Sequence, residues 1–163
     1  LQYWAEGELL SGLPADFNSV EKAAVFNDET NVASLSDSEL NDKARAYLDI
    51  NCAHCHRADL TLPEGYAGAA GSSGVQLEYN RRYADAPGKF GVCKDPVAGG
   101  KDGYPYDVIP GNADESYLQF RIETTDSRHK MPELGRSTVH QEGALLIRSW
   151  INQLPRASCS PVP

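Results

Sequence analysis

The chain has 163 residues, of which 15 are basic and 23 acidic, so its formal net charge at neutral pH is −8. This length suits one domain with a sizeable core, and a surface of this sign repels nucleic acid and anionic lipid. The longest uninterrupted aliphatic stretch, residues 144–147, is far shorter than the ~20 apolar residues that cross a bilayer, so we expect no membrane span.

Residues 1–35 are predicted to be an N-terminal strap or linker, and residues 36–163 the main domain. Large apolar side chains such as Trp4 and Phe17 are scattered through this strap between polar runs. A segment of this kind needs a surface to cover, and the tail of a preceding domain is an equal interpretation. The chain opens at Leu1 with neither an initiator methionine nor an apolar leader, as in a mature fragment or a piece of a longer protein.

A first amphipathic helix is predicted from Ser36 to about Ile50. Ser36 or Asp37 can cap it, and Glu39 lies three residues after Ser36, which is the spacing of a capping box. Apolar residues then recur at helical spacing, namely Leu40, Ala44, Tyr47 and Leu48.

A long loop is predicted over residues 57–111, which hold most of the chain's fourteen glycines. A loop of this length inside a compact domain needs something to order it, such as a buried ligand or a disulfide. A second helix then follows a cap at Asn112 or Asp114, and its apolar face ends near residues 124–125.

The last helix is predicted to begin at residues 138–141, with Thr138 and Gln141 in a capping box. Pro155 ends it, because proline cannot continue a helix. Its apolar stripe consists of Ile147, Trp150, Ile151 and Leu154.

The pentapeptide Cys52-Ala53-His54-Cys55-His56 directly follows the first helix. Cysteine, two residues, cysteine and histidine form the attachment signature of c-type haem. Two thiols three positions apart on a helical turn reach the two vinyl groups on one porphyrin edge, and the next residue places an imidazole under the iron. We therefore expect one covalent haem c on Cys52 and Cys55, with His56 as the proximal iron ligand. The other nitrogen of His56 should donate to a backbone carbonyl, with the Leu62-Pro63 segment as a candidate.

Two other uses of the cysteine pair are weighed against haem. A zinc site would need further ligands, and Cys93, Cys159, His129 and His140 do not have the usual finger spacing. A thioredoxin-like redox pair would need a strand and helix pattern around the motif, which the sequence lacks.

Met131 is the only methionine in the chain and precedes a proline. Proline disfavours helical geometry in the residue before it, so Met131 should lie in an extended loop, where its thioether can ligate the iron as the sixth ligand. His129 is the rival, and would give bis-histidine ligation and a lower reduction potential. His54 should face the solvent.

Cys93 and Cys159 remain once the haem has taken two thiols, and we expect them to form a disulfide, against two free thiols or an intermolecular link. Such a bond implies an oxidising compartment. Trp150 is expected in the core against the first helix rather than at the haem edge. Three arginines are candidates for propionate contacts, with a solvated surface as the favoured interpretation: Arg57, Arg81 and Arg82.

With this motif after the first helix and Met131-Pro132 before the last, residues 36–154 resemble class I cytochromes c. Within that class the chain looks like the C-terminal domain of a bacterial family of larger secreted c-type cytochromes. The segments that carry this likeness are residues 44–48, 51–56, 91–94 and 131–136. The resemblance implies an all-α, cytochrome c-like fold with crossing N- and C-terminal helices, a partly exposed haem edge and haem attachment outside the cytoplasm. The long glycine-rich loop and the strap enlarge that fold.

The expected function is one-electron transfer by a periplasmic or secreted monomer, not enzyme catalysis. Because the chain is acidic, its redox partner should dock through a basic patch, and candidates include respiratory oxidases and secreted copper or flavin oxidoreductases. The main alternative is a haem peroxidase or gas sensor with a labile sixth ligand, in which His129 supplies a distal acid or base. A third interpretation is a binding module whose haem is only structural.

Overall fold

The computed structural model describes residues 2–58, 70–97, 103–156 and 159. Within these residues the regular structure is helical and contains no β-strand, which confirms the all-α expectation at that level. None of the described helices is long and apolar enough to cross a membrane. The α-helices are α1 (Gln2–Glu6), α2 (Asp37–Leu48), α3 (Tyr117–Glu123) and α4 (Gln141–Gln153). Shorter turns are the 3-10 segments Phe17–Ser19, Val32–Ser34, Gly71–Ser73, Tyr83–Asp85 and Pro87–Phe90, and the π-helical turn Asp49–Ala53.

Helix α2 begins as the sequence predicts. The Ser36 hydroxyl accepts from the Glu39 amide at 3.4 Å, and the Glu39 carboxylate accepts from the Ser36 amide at 2.9 Å. This reciprocal capping box satisfies two amides that a helix start leaves unpaired. The helix then runs into Asp49–Ala53, so the cysteine motif begins on the same rigid element.

Helix α3 begins later than predicted, since Ser116 and not Asn112 or Asp114 is its N-cap residue. Asn112 instead closes the turn before the helix: its side chain accepts from the Glu115 amide at 3.3 Å, and its carbonyl accepts from the Ser116 hydroxyl at 2.7 Å. Asparagine side chains compete with helices in this way by pairing with nearby backbone.

Helix α4 has His140 as its N-cap residue, without a side-chain capping bond, so the predicted capping box of Thr138 and Gln141 is wrong. The backbone of His140 is still extended, with φ −79° and ψ 95°. Its carbonyl accepts the first helical bond, from the Ala144 amide at 2.9 Å. The helix therefore starts after His140.

The core forms where α2 and α4 pack together. Trp150 is fully buried, and its indole nitrogen donates to the Asn41 side chain of α2 at 3.3 Å, which confirms its expected place against the first helix. Gly143 of α4 lies against the Tyr47 ring of α2 so closely that a Cβ at this position would overlap the phenol. The two helices thus approach at a glycine and enclose a large buried indole.

The glycine-rich region is held by side chains from outside it. Arg45 of α2 is buried, and its guanidinium donates to the carbonyls of Glu78 at 2.7 Å and Tyr79 at 3.0 Å. It also lies 4.2 Å from the centre of the Phe90 ring, in a cation–π contact. A buried cation thus holds residues 78, 79 and 90 of this region against α2.

Cys93 and Cys159 lie at disulfide distance, with sulfur atoms 1.95 Å apart and Cα atoms 5.0 Å apart. The bond joins positions 66 residues apart. It ties the glycine-rich region to the C-terminal tail, as expected from the cysteine count.

The strap has two different halves. Near its start Tyr3 is 80% exposed and Trp4 54% exposed, whereas near its end Val32 is buried and Phe26 packs against the core. The part of the strap next to α2 therefore belongs to the folded body.

Candidate functional site

The cysteine motif forms a tight turn at the end of the π-helical segment. The Cys52 carbonyl accepts from the Cys55 amide at 3.0 Å and from the His56 amide at 2.8 Å. Both cysteines are half-buried, while His54 is exposed as predicted. This conformation places the two thiols against the protein and the His54 side chain in the solvent.

Burial is the main cause that raises the pKa of Cys52 to about 12, and the nearby Cys55 thiol adds to it. A thiol with this pKa stays protonated at neutral pH, unlike the thiolate of a thioredoxin-like nucleophile. Among the described residues, the side chains close enough together to hold a metal ion are Asp28, His140 and Glu142, and this group contains no cysteine. The raised pKa of Cys52 and the composition of this group therefore support neither a thioredoxin-like redox pair nor a zinc site at the two cysteines.

His56 is half-buried and is held at both its backbone and its ring. Its carbonyl accepts from the Leu77 amide at 2.8 Å, and its Nδ1 lies 3.2 Å from the Ser73 hydroxyl. Burial lowers the pKa of this imidazole, although a backbone hydrogen bond to Val75 opposes the shift. A neutral imidazole with Nδ1 engaged presents Nε2 as its ligand atom. The predicted partner segment, residues 62–63, lies outside the described residues.

Met131 lies in a loop between α3 and α4, as its proline neighbour predicts. The Met131 amide donates to the Arg121 carbonyl at 2.9 Å, and Arg121 Nε donates to the His129 carbonyl at 2.7 Å. Residues 126–136, which we call the methionine loop, are in this way attached to the end of α3.

Arg136 closes the methionine loop from its other end. Its guanidinium donates to the carbonyls of Ile122 and Thr124 at the C-terminal end of α3. These carbonyls have no partner within the helix and favour a cation. One side chain therefore caps α3 and fixes the loop that carries Met131.

A cavity of about 460 Å³ lies between α2, the cysteine turn, the methionine loop and the start of α4. This volume is within the usual range for cofactor and ligand pockets. Cys52 and Met131, 79 positions apart in the sequence, both line it. The other lining residues are Tyr47, Asn51, Ile122, Pro132, Leu134, Gly135, Arg136, Ser137, Thr138, Val139, His140, Gln141 and Glu142.

Cys55 and His56 are not among the described residues that line this cavity; they lie one turn further along the chain from Cys52. His129, the rival ligand, is also absent from the described lining, and its ring packs against Phe120 with centroids 5.9 Å apart. Of the two candidates for the sixth ligand, the structure thus brings Met131 to the cavity.

The residues fit a haem in the chemistry of their donors. The cavity wall holds one thiol of the attachment pair and the single thioether of the chain, which is a soft ligand suited to haem iron. The second thiol and the imidazole follow on the same turn, with Nδ1 of the imidazole already engaged.

The sequence does not identify Tyr47, Arg136 and His140 as residues of this cavity. It places Tyr47 on the apolar stripe of α2, both Tyr47 and Arg136 in segments of family likeness, and His140 at the start of the last helix. The three arginines proposed for propionates do not line the cavity in the described structure: Arg57 and Arg82 are exposed, and Arg81 pairs with Glu78 at 3.4 Å.

Comparison of the chain with protein-family models, with curated proteins and with solved structures finds no match in any of the three. Its function is therefore argued from its own residues.

Proposed function

We propose that residues 36–163 are a cytochrome c-like domain that carries one covalent haem c and transfers single electrons. Cys52 and Cys55 would hold the haem through thioether bonds, and His56 and Met131 would ligate its iron. The observation that carries this proposal is the cavity lined by both Cys52 and Met131 beside a c-type attachment motif.

The haem would supply the electron by cycling between ferrous and ferric iron, and the chain's own residues control how it is held. The Ser73 hydroxyl, 3.2 Å from Nδ1 of His56, would accept the Nδ1 proton in a hydrogen bond and leave Nε2 as the ligand atom. Arg121 and Arg136 hold the methionine loop in place. A thioether ligand and a half-buried site would both raise the reduction potential, which favours accepting electrons from a donor of lower potential.

The proposal includes a location and a partner. A periplasmic or secreted monomer would agree with the disulfide between Cys93 and Cys159. With a net charge of −8, the chain would attract a basic patch on an electron donor or acceptor, such as a secreted oxidoreductase. With His56 and Met131 both bound to the iron, oxygen and peroxide would have no free site on it, so the proposed role is that of a carrier and not of an enzyme.

The test is the absorption spectrum of the purified protein in its oxidised and reduced states. We expect a low-spin c-type spectrum with the weak far-red band that arises from sulfur-to-iron charge transfer. Met131→Ala should abolish this band. His129→Ala, which removes the rival ligand from the same loop, should leave it unchanged.

Other outcomes identify the alternatives. Loss of the low-spin signature in His129→Ala would indicate bis-histidine ligation. A high-spin spectrum of the unmodified protein would indicate a labile sixth ligand and a haem peroxidase or gas sensor. No haem absorption in protein made with the c-type maturation machinery would refute haem binding.

A further inference from the structure

Asp28, His140 and Glu142 bring three possible metal ligands together at the surface. Nε2 of His140 lies 3.0 Å from Asp28 Oδ1 and 3.7 Å from Glu142 Oε2. In the described part of the chain, these are the three His, Cys, Asp or Glu side chains whose possible ligand atoms all lie within 4.8 Å of one another. One residue comes from the strap and two from the start of α4.

The imidazole of His140 is oriented from outside this group. Its Nδ1 lies 3.3 Å from the Tyr47 hydroxyl, and its ring packs against the rings of Tyr47 and Phe26, with centroids 5.6 Å and 6.2 Å away. The Tyr47 ring itself packs against Gly143 of α4. The ring is thus held by two aromatic neighbours and at one nitrogen, and the other nitrogen lies near two carboxylates.

We propose that Asp28, His140 and Glu142 bind one divalent transition-metal ion of the zinc class. The ion would bind the lone pair of Nε2 in the neutral imidazole, whose single proton would lie on Nδ1 and be donated to the Tyr47 hydroxyl. Metal-bound histidines are held by an outer partner of this kind.

The distances suit such an ion. In a tetrahedral zinc site with bonds of about 2.0–2.1 Å, neighbouring ligand atoms lie ~3.3 Å apart. The two measured separations, 3.0 Å and 3.7 Å, lie on either side of this value. One imidazole and two carboxylates leave a fourth position for water or an external ligand.

The ligand types select the class of metal. An imidazole ligand favours zinc, copper, nickel or iron over calcium and magnesium, which prefer sites made only of oxygen. All three side chains are exposed, so an ion reaches them directly from solvent.

Binding would join the strap to the folded body at the edge of the proposed haem cavity, since His140 and Glu142 also line that cavity. A ligand that binds only the native state stabilises it, so zinc should stabilise the contact between Asp28 and α4. This inference does not depend on haem, because none of its three residues belongs to the attachment motif or to the proposed iron ligands.

The experiment is a calorimetric titration of the purified protein, with its haem if it carries one, using zinc chloride. One equivalent of zinc should bind. Loss of an outer-shell partner already weakens metal binding by roughly 10–100-fold, so Asp28→Asn and His140→Gln should each weaken it at least as much. Asp42→Asn and Glu115→Gln, which change exposed acidic residues outside the group, should bind zinc as the unmodified protein does.

Circular dichroism of each variant checks that it is folded, and zinc X-ray absorption identifies the ligands. Nitrogen and oxygen neighbours support the site. No binding of zinc, or binding that both variants retain, would overturn it and leave a plain His140–Asp28 hydrogen bond. Sulfur neighbours would also overturn it, by placing the ion on Cys52 and Cys55, and would separately refute haem attachment.

Discussion

The hydroxyl of Ser73 is the polar side-chain group that the structure places beside Nδ1 of His56, at 3.2 Å. It also accepts from the Val75 amide at 3.2 Å, which fixes its position in the turn Gly71–Ser73. With His56 as an iron ligand, Nδ1–H would donate to this oxygen. An acceptor at that place makes an imidazole a stronger electron donor to a metal.

Ser73→Ala is therefore expected to raise the reduction potential of the haem protein by tens of millivolts. Without this hydroxyl, and with only the backbone hydrogen bond to Val75 left, the imidazole donates less electron density, which favours ferrous iron. A spectroelectrochemical titration measures the potential. Ser72→Ala, at the exposed neighbouring position, is the control and should not shift it. An equal shift in both variants would show that the turn, and not this hydrogen bond, sets the potential.

The cysteine motif was recognisable in the sequence because its five residues are consecutive. The partner of His56 was not, because Ser73 returns to the ring 17 residues later through a glycine-rich turn. No local pattern encodes a contact of that separation. The same reason explains why Arg136, whose partners lie 12 to 14 residues earlier, was not recognised as a residue of the site.

The methionine loop depends on Arg136 more than on its own backbone. A guanidinium is a planar group that can reach several carbonyls at once, which a lysine cannot do in the same way. Here it contacts the carbonyls of Ile122 and Thr124, and more distantly that of Arg121 at 3.4 Å. Removing it leaves the last turn of α3 uncapped and the loop attached mainly through Arg121.

We expect Arg136→Gln to keep the haem but to weaken the Met131 bond, so that the far-red band disappears at a lower temperature than in the unmodified protein. The band is followed during heating of the oxidised protein. Arg128→Gln changes an exposed arginine of the same loop, which pairs with Asp126 at 2.8 Å, and should leave the temperature unchanged. If the band of Arg136→Gln were as stable as that of the control, the cap would not position Met131.

Gly143 lies inside α4, where alanine would normally favour the helix by about 1 kcal/mol. We nevertheless expect Gly143→Ala to destabilise the protein by about 1–3 kcal/mol, because the added Cβ would overlap the Tyr47 ring and force α2 and α4 apart. Chemical denaturation measures the change. Gly88→Ala is the control, since a Cβ there meets no atom within 4 Å. A stabilised Gly143→Ala variant would show that propensity outweighs packing at this contact.

The first residue of a helix is predicted better in α2 than in α3 or α4, because different kinds of residues set the start of each helix. The start of α2 is set by Ser36 and Glu39, whose side chains each accept from the other's amide. The start of α3 is delayed by the Asn112 turn, and that of α4 by the extended backbone of His140. At α3 the competing bonds are local, between Asn112 and residues 115–116, and at α4 the extended residue is His140 itself, and hydrophobic periodicity reports neither.

The disulfide is the covalent link between distant parts of the fold. Its 66-residue separation implies, by the chain-entropy relation, a stabilisation of about 4 kcal/mol at most, and measured values are typically 2–4 kcal/mol. Because neither cysteine lines the cavity in the described structure, the bond should act on stability and not on the iron ligands.

The four cysteines of the chain allow the haem and the disulfide to be tested together by counting thiols in the denatured protein. Thioether bonds resist thiol reductants and a disulfide does not, so we expect no free thiol before reduction and two after it. Two free thiols before reduction and four after it would keep the disulfide and refute covalent haem. Two before and two after would keep the haem and refute the disulfide.

A Cys93→Ser, Cys159→Ser double variant should then show no thiol in either state and unfold with about 2–4 kcal/mol less stability. It should retain the far-red band, since the bond orders the chain without contacting the proposed iron ligands.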